Sequence, residues 1–295
     1  MTDRTITLNN GVQMPGLGLG ALQSEGSEAT AAVSTALRAG YRLIDTAAAY
    51  LNEREVGRGI RDSGVDRADV FLTTKLWMTD YGFDSALRAF DTSTAKLGVD
   101  YLDLYLLHWP WPANFGETVA AYKAAERLLA DGRVRAIGVA NFKPEHLRAL
   151  VNETAVGPAV NQIELHPNFQ QPEQVAVHRQ LGIITQAWSP IGGVYGWAGE
   201  NGAVPPLQND TIRAIAAAHG RTPAQIILRW HLQSGRSSIP KSVKAGRIAE
   251  NVDVFNFELS AENLQAIDAL DTGTRGALDP DIATPEVIDL MIDAA

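Results

Sequence analysis

Short apolar runs alternate with amphipathic segments along nearly the whole chain. The first run lies around Leu17-Gly18-Leu19, and the spacing of apolar residues after it predicts a helix over about 28–39. "RLIDT" (42–46) precedes a predicted helix over about 53–62, and "VFLTTKL" (70–76) one over about 84–97. "LDLYLLH" (102–108) precedes a helix over about 117–130. "VRAIGVAN" (134–141) precedes one whose first turn carries Pro144, a place that suits proline. "AVNQIEL" (159–165) is followed by a helix near 172–180, and "GIITQAW" (182–188) by a loop containing glycine and proline. A helix over about 208–219 comes next. The segment "TPAQIILRWHLQ" (222–233) then has Thr222 as N-cap and Pro223 at its first helical position. "SSIP" (237–240) is the last strand-like run, and helices near 244–250 and 260–270 close the pattern.

Eight strand signals result, most of them near-continuous apolar runs of the kind found in parallel sheets buried on both faces. Repeated strand–helix units point to a parallel α/β fold, and eight of them favour a (β/α)8 barrel. The opening "ITLNNGVQM" reads as a β-hairpin with Asn-Gly at its turn, placed to cap the barrel floor. The competing reading is an open doubly wound sheet with "GLGLG" (16–20) as a dinucleotide fingerprint. The glycine spacing is wrong for it, no helix opens at once, and the required acidic residue is not evident. No Pro/Ser-rich linker or charge break interrupts the 295 residues, so a single domain over 1–295 is expected.

Composition narrows the function. The formal net charge is -9 without a long basic run, which argues against a sequence-independent nucleic-acid binder and against a polybasic membrane-surface protein. There are no cysteines, and no apolar run approaches the roughly 18 residues of a membrane span. A soluble, cytoplasmic protein is expected.

In a barrel, chemistry gathers at the C-terminal ends of the strands. Those ends are polar here: Asp45, Lys75, His108 and Asn141 end their runs, Gln162 lies within one, and Trp188 ends another. Each residue alone has an ordinary structural explanation, such as a turn aspartate or a lysine reaching for solvent. Together, three adjacent strands deliver an ionisable group each to one rim. An Asp45–Lys75 ion pair there would sit beside Tyr50, and the three alanines at 47–49 let the intervening loop lie flat. The ammonium is expected to lower the phenol pKa and make Tyr50 a general acid for a developing alkoxide. His108 would add a second donor to the same oxygen. The pattern points to protonation of a carbonyl oxygen during reduction. The six histidines show no paired ligand spacing, so no metal is expected.

Three segments carry a family resemblance. "GYRLIDTAAAYLNEREVG" (40–57) and "IPKSVKAGRIAEN" (239–251) resemble two signatures of the aldo-keto reductases, and "RAIGVANF" (135–142) resembles a third with one departure. The likeness covers nearly the whole chain in the family's order. It implies a (β/α)8 barrel that reduces aldehydes and ketones with NADPH and needs no metal, acting on a small-molecule carbonyl substrate. It also implies Tyr50 as general acid, Asp45 and Lys75 as its tuners and His108 as the group that orients the carbonyl.

The resemblance further implies Asn141 and Gln162 as ligands of the nicotinamide carboxamide. Ala140 stands where the family has a serine, so one hydrogen bond of ~1 kcal/mol is expected to be missing. Trp188, in "AWSP", takes the place of the tyrosine that stacks on the nicotinamide, as in bacterial members such as the 2,5-diketo-D-gluconate reductases. Gly20, Ala21, Ser189 and Val243 are expected along the cofactor. Lys241, Ser242, Lys244 and Arg247 cluster at a helix start that already favours anions and resemble the pocket for the adenosine 2′-phosphate. Glu250 and Asn251 would hold the adenine. Leu22, Trp77, Trp109 and loop residues 191–207 are expected to line the substrate pocket. Leu22, where many members have tryptophan, and the short "WPWPANFGE" loop suggest an open cleft, and His166 reads as structural. The alternative function on the same barrel is a cofactor-binding regulatory subunit, as in potassium-channel β-subunits.

Overall fold

The computed structural model describes residues 4–192 and 204–287. Its centre is an eight-stranded parallel sheet with strands in the order β3 to β10. These are β3 (Leu19–Gly20), β4 (Leu43–Asp45), β5 (Phe71–Leu76), β6 (Leu102–Leu107), β7 (Val134–Ala140), β8 (Val160–Glu164), β9 (Ile184–Trp188) and β10 (Ser237–Ser238). The two edges meet. Leu17 pairs with Ser238 and Gly20 with Lys241, both in parallel sense, and the Gly18 amide donates to Ser238 O at 2.9 Å. The sheet is therefore a closed (β/α)8 barrel.

The seam explains "GLGLG". A Cβ on Gly20 would meet Ile239 O at 2.8 Å, and one on Gly18 would meet the Leu43 side chain at 2.1 Å. Gly20 lets two backbones approach at the closure, and Gly18 leaves room for the Leu43 side chain. The first strand starts later than the apolar run suggests, because Leu17 contributes only an isolated bridge.

Helices α1 (Gly26–Arg38), α2 (Glu53–Ser63), α3 (Phe83–Leu97), α4 (Phe115–Ala130), α5 (Pro144–Glu153) and α6 (Pro172–Leu181) each follow one strand. After β9 come α7 (Asp210–His219) and α8 (Pro223–Gln233), and after β10 come α9 (Ala245–Val252) and α10 (Ala261–Asp268). Helix α8 starts as its sequence predicts: Thr222 Oγ accepts from the Gln225 amide while the Gln225 side chain accepts from the Thr222 amide. Among the described residues no helix is long and apolar enough to cross a membrane.

The hairpin of β1 (Thr5–Thr7) and β2 (Gln13–Pro15) closes the floor. Leu8 and Met14 pack with Leu43, Phe71, Leu104, Leu106, Ala136 and Val160, which come from the starts and middles of successive strands. Asn9 and Asn10 donate to Pro158 O and Arg135 O beneath β8 and β7. Side chains alternate along a strand, so positions two apart share a face. Continuing the inward sets upward by twos gives Asp45 after Leu43, Lys75 after Phe71 and Thr73, His108 after Leu104 and Leu106, Gln162 after Val160, and Gln186 and Trp188 after Ile184. The interior thus changes from apolar at the floor to polar at the mouth.

Outside the sheet, His178 of α6 is fully buried. Its Nε2 receives the amide groups of Asn161 at 2.9 Å and Gln174 at 2.7 Å, and its Nδ1 faces Thr185 Oγ at 2.8 Å. Two donors on Nε2 leave no room for a proton there, and burial pushes the pKa down to about 4. Burial holds His231 well below its ordinary value as well, helped by the Arg236 charge.

A prediction about acid stability follows from these histidines. The unfolded chain binds their protons near the ordinary ~6.5, whereas the folded chain resists. The stability they contribute is present above that value and is lost as pH falls toward the folded pKa. Each should add up to ~1.4 kcal/mol per pH unit to the slope. Urea midpoints measured between pH 7 and pH 4.5 should fall, and His178→Gln should flatten part of the fall. An unchanged slope in that variant would show that His178 is already charged in the folded chain.

Candidate active site

Lys75 sits at the centre of the rim. It is 0% exposed, and Asp45 is 1% exposed. Its Nζ donates to Asp45 Oδ1 at 2.5 Å, to Thr46 O at 2.9 Å and to Tyr50 Oη at 3.4 Å. Those three acceptors account for all three ammonium hydrogens. Because Lys75 supplies a hydrogen to Oη, the phenol's own proton is left for an acceptor in the mouth.

Tyr50 ends a short 3₁₀ turn, Ala48–Tyr50, that starts after Thr46 and Ala47 beyond the end of β4. The turn is anchored below by Asn52, which is buried. Its amide donates to Ala21 O at 2.8 Å and Ser24 O at 2.9 Å, and its Oδ1 accepts from Thr46 Oγ at 2.6 Å. Leu51 turns the chain in the left-handed region at φ 55°. These contacts place the phenol without large side chains beneath it, as the alanines allow.

The electrostatics differ from the sequence expectation. Lys75 does not pull the Tyr50 pKa down. Burial and then the Asp45 charge push it well above the ordinary tyrosine value. The reason is the short Lys75–Asp45 contact: the ammonium is already matched by a carboxylate, so the phenol meets a dipole and not a free cation. Tyr50 keeps part of its surface in solvent, so burial counts for less there than at a core tyrosine such as Tyr105. Within the pair, burial raises the Asp45 pKa and lowers that of Lys75, each against the attraction of the partner. Tyr50 is therefore a protonated phenol at neutral pH.

His108 closes the other side. Its ring meets Tyr50 edge-on at 5.5 Å and Trp77 at 5.1 Å between centroids. Burial, reinforced by the Lys75 charge, holds its pKa well below the ordinary value, so the ring is neutral. Nδ1 is buried without a partner, which leaves Nε2 as the nitrogen available to a ligand. Trp77 and Trp109 are nearly buried beside it, and Tyr81 fixes the second by donating to Trp109 O at 2.6 Å. Leu22 is half-buried. Of the expected pocket loop, residues 193–203 lie outside the described residues, and so does Trp197.

Two of the expected carboxamide ligands are engaged within the protein. Asn141, at φ 64°, donates to His108 O at 3.0 Å and accepts from Trp188 Nε1 at 2.9 Å. That ties together the ends of β6, β7 and β9. Gln162 donates to Asp45 Oδ2 at 2.7 Å and to Gln186 Oε1 at 2.7 Å. Asn141 keeps one amide hydrogen and one lone pair free, and Gln162 keeps its oxygen. Ala140 is buried and offers no side-chain donor. Ser189, after Trp188, also adopts the left-handed region at φ 46°.

The second half of the site is the start of α9. The seam pairs Gly20 with Lys241, so Ala21 and the cation cluster are neighbours. Ser242 Oγ accepts from the Lys244 amide at 3.2 Å and shapes the turn before the helix. Val243 packs against the core, and Asn251 is buried. Glu250 accepts from Thr222 Oγ at 2.8 Å. Among the described residues, Lys241, Lys244 and Arg247 make no ion pair. Unmatched cations at a helix N-terminus in an acidic protein fit an anionic ligand group.

His166 is structural: it contacts Glu164 at 3.1 Å, whose carboxylate also accepts from the Gly276 and Ala277 amides. Sequence reading missed Thr46, Asn52 and Gln186. Asn52 lies in a segment that looks like an ordinary helix start. Gln186 lies two residues before Trp188, a spacing that marks it as inward-facing once Trp188 is taken as a site residue.

Comparison with known proteins identifies the family. The profile of the Aldo/keto reductase family matches residues 15–272. The chain is 54% identical to morphine 6-dehydrogenase of Pseudomonas putida over 278 residues, covering 93% of this chain and 94% of that protein. It is 45% identical to glyoxal reductase of Bacillus subtilis, covering 94% and 96%. A solved variant of Gox0644 in complex with NADPH superposes with a TM-score of 0.87 at 43% identity, over 95% of this chain and 98% of that one. The chain belongs to the aldo/keto reductase family.

Proposed function

We propose that this protein reduces aldehydes and ketones to alcohols with NADPH, with Tyr50 as the proton donor. The observation that carries the reading is the convergence of Lys75 Nζ on Asp45, Thr46 and Tyr50 at one point of the mouth. The protein is an NADP(H)-dependent oxidoreductase by family, and one relative's name, glyoxal reductase, specifies carbonyl reduction.

The residues present fit the cofactor. Lys241, Ser242 and Arg247 would hold a 2′-phosphate, with Lys244 beside them. Glu250 and Asn251 stand further along the same helix for the adenine, and Gly20, Ala21, Ser189 and Val243 would flank the chain between the two ends. Asn141 and Gln162 retain the donor and acceptors for a carboxamide, and Trp188 offers a ring face. When bound, the reduced nicotinamide supplies a hydride to the carbonyl carbon. The rest is done by the protein. His108 donates a hydrogen bond through Nε2 and orients the carbonyl oxygen. Tyr50 transfers its proton to that oxygen as negative charge develops on it, and Lys75 stabilises the phenolate left behind. Trp77 and Trp109 exclude water from the reacting centre, with Leu22 across the mouth. A panel of carbonyl compounds followed through NADPH absorbance tests the reading.

Tyr50→Phe removes the donor and little volume. Turnover should fall ~100- to 10,000-fold while NADPH affinity stays near that of wild type. Near-normal carbonyl reduction by this variant, with chemistry rate-limiting in wild type, would remove Tyr50 from the mechanism.

Lys75→Met leaves the Asp45 carboxylate buried beside Gln162 alone. An uncompensated buried charge destabilises by ~3–5 kcal/mol, so melting temperature and rate should both drop. The double variant Asp45→Asn/Lys75→Met should regain most of the melting temperature and none of the rate. A single variant that melts like wild type would place the pair in solvent.

Arg247→Ala should weaken NADPH ~10- to 100-fold, from a charged hydrogen bond of ~1.5–3 kcal/mol. NADH, which lacks the 2′-phosphate, should change much less. Calorimetric titration of both cofactors decides it, and equal losses would make Arg247 a fold residue.

A further inference from the structure

Two buried glutamines lie beneath the acid. Gln162 of β8 and Gln186 of β9 are 2% and 0% exposed and stand opposite each other in register. The Gln162 amide nitrogen donates to Asp45 Oδ2 and to Gln186 Oε1, both at 2.7 Å. The Gln186 amide nitrogen donates to Ser237 Oγ at 3.1 Å and lies 3.9 Å from Met14 Sδ. Ser237 Oγ in turn donates to Pro15 O at 3.4 Å. An unbroken line of hydrogen bonds therefore crosses the barrel from the floor hairpin to Asp45.

The line leaves the carboxylate little freedom. Lys75 holds Oδ1 and Gln162 holds Oδ2, so the plane of the Asp45 carboxylate is fixed from two strands. Both hydrogens of the Gln162 amide are used, one on each acceptor. If Gln186 offered no acceptor, the amide would be free to turn away from Asp45.

We infer that Gln186 is a positioning residue for the general acid: it holds the Gln162 amide against Asp45 Oδ2, and thereby sets the field that Asp45 and Lys75 exert on the Tyr50 hydroxyl. The inference rests on the reading of Tyr50 as general acid. Gln186 itself touches no reacting atom. Its route is electrostatic. A carboxylate that loses a donor keeps more of its charge, and the Asp45 charge already raises the Tyr50 pKa. Among the described residues, the titratable groups facing the phenol are Asp45 from β4, Lys75 from β5 and His108 from β6. Tyr50 stays protonated far into the basic range and His108 is held neutral, so the group that sets the basic limb of the rate profile is Lys75, whose pKa burial lowers and the Asp45 charge raises.

Gln186→Met keeps length and volume while removing the acceptor, and its thioether would lie beside Met14. The predicted result is a fall in kcat of roughly 10-fold, the size expected for a lost hydrogen bond acting on a charged group. The basic limb of kcat against pH should move up by about half a unit or more, since each unit is one tenfold change in the protonation balance. NADPH affinity should stay near that of wild type. A primary isotope effect with deuterated reduced cofactor keeps the chemical step in view. The position of the limb does not depend on how much protein folds, so a partly folded preparation still gives an answer. Gln162→Met should move the limb in the same direction, and adding Gln186→Met to it should move it no further. The inference is overturned if Gln186→Met leaves the limb in place, whether kcat is unchanged or only the melting temperature drops. It is also overturned if NADPH affinity falls with the limb unmoved, because Gln186 would then shape the cofactor site. A Tyr50→Phe enzyme that keeps its turnover would defeat the underlying reading. Collapse of that variant, together with an unmoved limb in Gln186→Met, would defeat the inference alone.

Discussion

An ammonium group buried at a barrel mouth constrains everything near it. Taking a charge out of water costs several kcal/mol even after relaxation, and the cost is met only by good geometry and full hydrogen bonding. Lys75 meets that condition: a carboxylate, a carbonyl and a phenol each take one of its hydrogens. Asp45 meets it too, with one oxygen on Lys75 and the other on Gln162. Neither residue can move without stranding the other. The mouth therefore has one arrangement, and the phenol of Tyr50 is part of it.

The barrel makes this arrangement possible by separating its two ends. The hairpin fills the floor with Leu8 and Met14, both buried beneath the polar layer. The closure brings Gly20, at the end of the chain's first barrel strand, beside Lys241, just before α9. One seam thus joins the rim that holds Tyr50 to the cation cluster of Lys241, Lys244 and Arg247. Asn141 adds a second tie, binding His108 and Trp188 across three strands. A rigid scaffold with its reactive groups at one end suits a reaction in which a donor and an acceptor must be held in line.

Much of this was legible in the sequence, for a physical reason. A charged or polar residue that ends an apolar run breaks the pattern, and Asp45, Lys75, His108 and Asn141 all do so at the same end of successive strands. The repeated strand–helix pattern carried the barrel, and Asn10-Gly11 carried the hairpin. Helix starts with a proline in the first turn, at Pro144 and Pro223, were also readable. What stayed hidden depends on three-dimensional burial. The tuning of Tyr50 reads backwards from sequence, because whether Lys75 faces the phenol as a free cation or as half of a pair is decided by the Asp45 contact. Gln186 was passed over because a polar residue inside an apolar run looks incidental until the strand register puts it opposite Gln162. Asn52 was hidden because a buried asparagine before a helix looks like any cap.

The central claim is that Tyr50 is held as a neutral phenol by a matched Lys75–Asp45 pair. Carbon NMR of ring-labelled tyrosine tests it most directly, with Tyr50→Phe used to assign the resonance and pH raised through the stable range of the protein. The account predicts that the Tyr50 signal stays in its protonated position beyond ~10, the ordinary value for a tyrosine. A phenolate signal appearing near neutral pH would contradict it and would mean that Lys75 acts on Tyr50 as an unmatched charge.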